Sequence, residues 1–296
     1  MIFMEKRSKK KIKTRILPYV LLFPMCLSVT MFSFYPFFKT ILSSFSFTDE
    51  RGDWLRWAGV YFWEKMITSS TDNFGKMLLT TLVFAIMNFT MTLTMAGFVA
   101  LLTTKRTKIS KIYQTMFALP MAVASATASI IFRFILNSEG GLLNTWLGTD
   151  IDWLNDPNIA IWMVALVTSW CHMGHSYLFL LAGFRGVSQD VLEAATVDGA
   201  GGIRKAFSIM IPMASPQIFY VVFLNIISSL KTFTQINLLT NGGPGGSTTT
   251  LMYGIYWRIY KGEYEMACCL SIALFLVIFL ITRIQFMFEK KTVHYQ

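Results

Sequence analysis

Only 14% of the 296 residues are charged, against about a quarter in an ordinary soluble domain, and this shortage rules against a water-soluble fold. Cysteine is also scarce. Cys26, Cys171, Cys268 and Cys269 form neither a CxxC pair nor the spacing of a zinc site or disulfide framework, so they read as small apolar fillers. No G-x-x-x-x-G-K-[ST] string occurs, and the glycine-rich stretch Asn241-Gly242-Gly243-Pro244-Gly245-Gly246-Ser247 lacks the lysine of a phosphate cradle. If a nucleotide drives this protein, another chain binds it. An intramembrane serine protease is disfavoured as well, because Gly174-His175-Ser176-Tyr177 lacks a second glycine and the last apolar run has no histidine to act as base.

What is present is apolar length. Hydrophobic residues make up 54% of the chain and aromatics 15%, with a mean hydropathy of +0.52. A spanning helix needs about 20 mostly apolar residues, and six runs qualify: 16–38, 77–101, 112–136, 159–183, 207–230 and 266–288. The sequence therefore predicts an all-α polytopic membrane protein with six transmembrane helices, with a basic N-terminus at 1–15 and a single membrane domain over 16–296. Pro24, Pro120, Pro212 and Pro216 fall inside runs, and the last two are positioned to break the start of the fifth.

The formal charge of +10 would suggest nucleic acid on a polar domain, but here it sorts by segment. Of the 26 Lys and Arg, 17 lie in the N-terminal segment, the second-to-third and fourth-to-fifth connections and the C-terminal end, with five acids. The other connections hold nine basic residues and eleven acidic ones. Retained loops carry the basic excess, so both termini are predicted to be cytoplasmic. A cleaved signal peptide is the alternative reading of the basic start, but Phe32, Phe34, Tyr35 and Phe37 follow where small residues would be required.

His172 and His175 lie three apart and can share a helix face, but no carboxylate stands on any of the six runs to complete a metal site. Lining or packing roles are expected of them, and no metal, cofactor or catalytic residue is assigned. The connection 186–212 is more informative. Asp190 and Glu193 have the spacing of a capping box, and Gly199, Gly201 and Gly202 would stop the helix between them. Leu192, Ala194, Ala195 and Val197 would then present a compact surface for another protein.

Glu193-Ala194-Ala195, Asp198-Gly199-Ala200 and Ile211-Pro212 together resemble the EAA loop of permease subunits of ATP-binding-cassette importers. Leu22-Phe23-Pro24, Tyr35-Pro36, Leu119-Pro120 and Gly141-Leu142-Leu143-Asn144 look like the carbohydrate-uptake branch, the maltose and glycerol-3-phosphate type. So does Leu239-Thr240-Asn241-Gly242-Gly243-Pro244 with Thr248 to Thr250, Tyr253 and Tyr256. The resemblance implies the type I importer permease fold in a bacterial or archaeal cell membrane. It also implies a second, non-identical permease, two ATPase subunits that hold ATP and Mg, and an external solute-binding protein that delivers a sugar or oligosaccharide. The chain itself is then no enzyme. Glu193, Ala194, Ala195, Asp198, Gly199, Ala200 and Pro212 are the expected ATPase-coupling residues.

Sugar sites combine hydroxyl-bonding groups with aromatic faces, and polar side chains at bilayer depth are costly enough to be informative. On the fifth run this selects Asn225, Ser228, Ser229, Lys231, Thr232 and Gln235, and on the fourth Trp170, His172, Ser176 and Tyr177, with Asn88 on the second as a further candidate. Each could equally be a helix-to-helix hydrogen bond or an interfacial anchor. Lys231 could pair with a carboxylate or phosphate, which suggests an anionic glycan or a glycerol-phosphate-like solute as an alternative substrate. A stand-alone secondary carrier is the rival of another class, disfavoured by the absence of an intramembrane acid for ion coupling.

Overall fold

A computed structural model describes residues 18–49, 52–69, 73–105 and 107–292. The basic N-terminus 1–15, the first two residues of the first run, and Glu50, Asp72 and Arg106 lie outside the described residues. Each predicted run is helical over most of its described residues. In chain order the elements are α1 (Pro18–Ser43), the strands β1 (Ser46–Thr48) and β2 (Trp54–Trp57), then α2 (Tyr61–Thr68) and α3 (Phe74–Leu102). There follow α4 (Lys108–Ala118), α5 (Ser125–Ile135), α6 (Leu142–Leu147), α7 (Ala160–Arg185), α8 (Gln189–Val197) and α9 (Gly202–Met213). The chain ends with α10 (Ser215–Leu230), α11 (Thr234–Leu239), α12 (Leu251–Tyr260) and α13 (Tyr264–Thr292).

Proline decides which runs stay straight. Pro120 lies in a 3₁₀ turn, Leu119–Ala122, where its ring and missing N–H end α4, and α5 departs at 99°. Pro212 and Pro216 flank the break between α9 and α10, which meet at 74°. Among the described residues three helices, α1, α3 and α13, are each long and apolar enough to cross a bilayer, or up to five spans if each bent pair counts as one. The fourth run, α7, has the length but is not among them, because Ser169, Trp170, His172, His175 and Ser176 lower its hydropathy.

The expectation of a purely helical chain needs one correction. The first long connection contains an antiparallel hairpin in which Ser46 faces Trp57 and Phe47 faces Arg56. Gly52, at φ +77°, closes its turn, and the Thr48 N–H donates to Glu265 Oε1 at 2.8 Å, which ties the hairpin to α13. Aromatic and β-branched residues facing across a short turn favour paired strands over another helical turn. The molecule is mostly helical.

The centre is a trio. α3 and α7 run parallel and α10 runs antiparallel to both, as the cross-links Asn88–Ser169, Thr103–Tyr177, Asn225–Ser176 and Ser229–Asn88 together require. Ala96, Ala100, Tyr177, Leu180 and Val221 fill one end of the trio, and Phe84, Val164, Val167 and Ile236 the other. A separate apolar cluster, with Phe62, Met66, Leu251, Ile255 and Leu270, joins α2 and α12 to α13. Gly174 makes room for the Pro120 turn: a Cβ there would stand 2.9 Å from Met121 Cβ and 3.1 Å from Met121 N.

Candidate functional site: a polar knot between two clefts

Asn88 is fully buried in the middle of α3, where each of its polar atoms needs a partner. Its Nδ2 donates to Ala165 O at 3.2 Å and to Ser169 Oγ at 3.0 Å, while its Oδ1 accepts from Ser229 Oγ at 2.7 Å. Asn225 Nδ2 donates to Ser176 Oγ at 2.8 Å and to Val221 O at 2.8 Å. Asn88, Ser176, Asn225 and Ser229 therefore hold the trio together through bonds that cross between helices.

The remaining candidates fall in different places. Tyr177 is buried and shares a 2.9 Å hydrogen bond with Thr103 Oγ1. Trp170 meets Phe132 edge to face at 5.3 Å. Thr232 is buried and donates to Ser228 O at 3.1 Å, and Gln235 is buried on α11 against the Cys171 thiol. By contrast His172, Ser176, Asn225 and Ser228 border one cleft of about 310 Å³ between α7 and α10, which His175 and Phe179 also line. His172 Nδ1 is buried with no hydrogen-bond partner among the described residues. Leu224 and Ser228, which line this cleft, continue with Tyr220 and Lys231 as an exposed stripe at helical spacing along α10 and its C-cap.

At the end of the trio where Lys105, Arg185 and Lys205 gather, the connection 186–212 folds back on the body around a cleft of about 830 Å³. α8 forms there, but not by the expected capping box: the N-cap is Ser188, with no side-chain cap bond, and Asp190 lies in the first turn. Asp190 within that first turn still opposes the positive end of the helix dipole. Gly199, at φ +76°, ends α8 as expected, since only glycine adopts that conformation freely. The surface also differs from expectation. Ala195 is buried and Leu192 half-buried against the trio, whereas Ala194 and Val197 stay exposed, as do Ile203 and Phe207 on α9. Glu193, Asp198 and Pro212 are exposed and Ala200 is half-buried.

Two residues here were not legible in the sequence as site features. Arg185 reaches from α7 to the C-terminal carbonyls of α3, donating from Nε to Thr104 O at 3.1 Å and from Nη2 to Thr103 O at 3.0 Å. Lys205 Nζ donates to Thr196 Oγ1 at 2.6 Å, clasping α8 to α9. The partners of Arg185 lie 81 and 82 residues away, so no local motif could reveal them.

The opposite end carries a cleft of about 900 Å³ between the start of α3, α11, α12 and the glycine-rich loop. Threonines fix that loop: Thr248 Oγ1 donates to Gly243 O and Thr249 Oγ1 to Gly242 O, both at 2.7 Å. A Cβ at Gly242 would stand 2.4 Å from the Tyr253 ring, so glycine is required for this close approach. Burial, with Tyr256 nearby, pushes the Tyr253 phenol up from its ordinary value and keeps it neutral.

Residues 92–294 match the family described as binding-protein-dependent transport system inner membrane component. The chain is 31% identical to the sn-glycerol-3-phosphate transport system permease protein of Pectobacterium atrosepticum, covering 98% of this chain and 99% of that one. It is 30% identical to the protein of the same name from Yersinia enterocolitica, over 95% and 96% of the two chains. Its fold superposes with a TM-score of 0.83 on a chain of a bacterial ABC transporter involved in the import of the acidic polysaccharide alginate. That match has 20% identity and covers 97% of this chain and 100% of that one. A second structure, the alginate transporter in complex with an alginate pentasaccharide-bound periplasmic protein, gives 0.82 at 20% identity, over 95% and 96%. The helical trio with its proline-broken partners and its folded-back loop is thus the framework of a known group, and this chain belongs to the binding-protein-dependent transport system inner membrane components.

Proposed function

We propose that this chain is the permease subunit that lines half of the translocation pathway of an ABC importer for a sugar or a glycerol-phosphate-like solute, and that 186–212 couples it to a separate ATPase. Family membership makes it a multi-pass protein of the cytoplasmic membrane, with ATP hydrolysis on another subunit. The names of its relatives support the substrate class. A six-span topology with both termini cytoplasmic follows if α4–α5 and α9–α10 each count as one span and α7 crosses behind its neighbours. The basic cluster of Lys105, Arg185 and Lys205 then faces the cytoplasm.

The observation that carries the coupling role is the exposed patch on α8 and α9. Val197 is 89% exposed and Ile203, ahead of the fifth apolar run, 80%, with the acidic Glu193 and Asp198 exposed on the same connection. Apolar side chains in water at a cytoplasmic surface call for a partner. Lys205 ties α8 to α9, Leu192 packs α8 against the trio, and Arg185 ties α7 to the end of α3, so a push on α8 is passed to the trio as a body. The α7–α10 cleft and the α10 stripe form the pathway wall, facing the second permease. Asn88, Ser176, Asn225 and Ser229 are its framework, whereas His172, Ser228 and Lys231 are the groups open to a solute. A secondary carrier would need none of the exposed patch.

The test is the assembled transporter in proteoliposomes with its binding protein. Gly199→Pro removes the positive-φ turn, and Glu193→Lys reverses a charge on the patch. Both are expected to lower substrate-stimulated ATP hydrolysis and uptake by roughly tenfold, the scale of losing one interface hot spot. Unchanged stimulation in both variants would refute the coupling role.

A further inference from the structure

The glycine-rich loop has no lysine in its own sequence, but the fold supplies one from 169 residues away: Lys76 Nζ donates to Gly245 O at 2.9 Å. An ammonium offers three donors, so this bond orients the group at the wall of the 900 Å³ cleft without exhausting it. Asn237 and Asn241 line the same cleft with amide donors and acceptors. Facing them is a ladder of rings. Tyr256 and Tyr260 stack at 6.4 Å and Trp257 and Tyr260 at 5.7 Å, with Tyr260 72% exposed and Trp257 42%.

The charge is one-sided. Arg258 is the second charged group of the lining, and among the described residues no carboxylate lines the cleft; Glu263, which pairs with Arg258, stands outside it. Lys261 adds a further cation 5.3 Å from the Trp257 ring centroid. Aromatic faces for the apolar side of a pyranose, amides for hydroxyls and a cation for an acid group together select a carbohydrate that carries negative charge. The volume falls in the range of about 300–1,000 Å³ typical of small-molecule sites.

The cleft also meets the pathway wall. Phe233, two residues beyond Lys231 at the top of the α10 stripe, lies 4.6 Å from Tyr256. We infer that this cleft is a receiving subsite for an anionic sugar, bearing a carboxylate or a phosphate, held by Lys76 and the rings of α12 before it descends along α10. This inference rests on the reading of the chain as a sugar-type permease and adds a site at its outer mouth.

The experiment is equilibrium dialysis of the assembled transporter, without its binding protein, against tritiated digalacturonate, glucose 6-phosphate and neutral cellobiose. Saturable binding of at least one acidic probe is expected, with cellobiose at least about tenfold weaker. The digalacturonate and phosphate arms distinguish carboxylate from phosphate as the preferred acid. Lys76→Met should weaken the acidic probe by about tenfold or more while Lys76→Arg restores it, and Tyr260→Ala should weaken both acidic and neutral probes. Equal binding of cellobiose, no saturable binding of either acidic probe, or an unchanged affinity in Lys76→Met would each overturn the subsite. ATP hydrolysis stimulated by the loaded binding protein, measured on the same preparation, separates the two readings. If it persists while acidic probes fail to bind, only the subsite falls.

Discussion

α1 and α7 are both 26 residues long, yet they occupy opposite environments. None of the apolar window of α1 is buried by the rest of the chain, whereas more than half of α7 is, including Ser169, Ser176 and Tyr177. A helix that meets lipid must be apolar all round, because hydrocarbon offers no hydrogen bonds. One enclosed by other helices can carry hydroxyls and imidazoles, provided they find partners. Hydropathy therefore detects the peripheral helix most easily and under-reports the one nearest the site.

The comparison can be broken most severely at Gly174. Gly174→Leu would drive a side chain into the Pro120 turn, whose Met121 Cβ is 2.9 Å from where the new Cβ would sit. Overpacking of this kind costs about 1–3 kcal/mol, so the purified complex should lose monodispersity or melt far earlier in fluorescence-detected size exclusion. An unchanged melting temperature would mean that the turn does not seat on α7. Asn88→Ala comes next. It strips partners from Ser169 and Ser229, and the loss should amount to about 1–2 kcal/mol, nearer the lower figure if the hydroxyls find helix carbonyls. Phe32→Leu on α1 should be the mildest, within about 0.5 kcal/mol, because it exchanges one apolar side chain for another on an exposed face. A larger shift there would show that α1 is gripped by a partner subunit instead of lipid.

Much of the architecture was legible in the residue pattern. The apolar runs located the helices, Pro212 and Pro216 located the break between α9 and α10, and Gly199 located the end of α8. The capping box was misread because the spacing of Asp190 and Glu193 cannot tell an N-cap from a first turn; Ser188 takes the cap by backbone geometry. The exposed surface of α8 was read too broadly as well, since whether Ala195 faces outward depends on how α8 docks against the trio.

The substrate candidates illustrate the same limit. Polarity at membrane depth selected Asn88, Ser176, Asn225 and Ser229, and sequence has no means of separating a side chain that bonds a neighbouring helix from one that awaits a solute. Their partners lie 49 to 141 residues away in the chain. Lys76 carries no such signal in the sequence for the same reason, because its meaning comes from a loop 169 residues away.

By itself, then, the sequence determined the medium, the number of apolar runs, the segments in which basic charge collects, and the loop that resembles a coupling element. Each of these is a local property: transfer free energy summed over a window, or a turn fixed by glycine or proline. Tertiary structure alone decided which polar groups are consumed in the α3–α7–α10 knot, which remain open in the clefts, and that Lys76 stands beside the glycine-rich loop. Those outcomes depend on contacts between residues far apart in the chain, and such contacts exist only once the helices have packed.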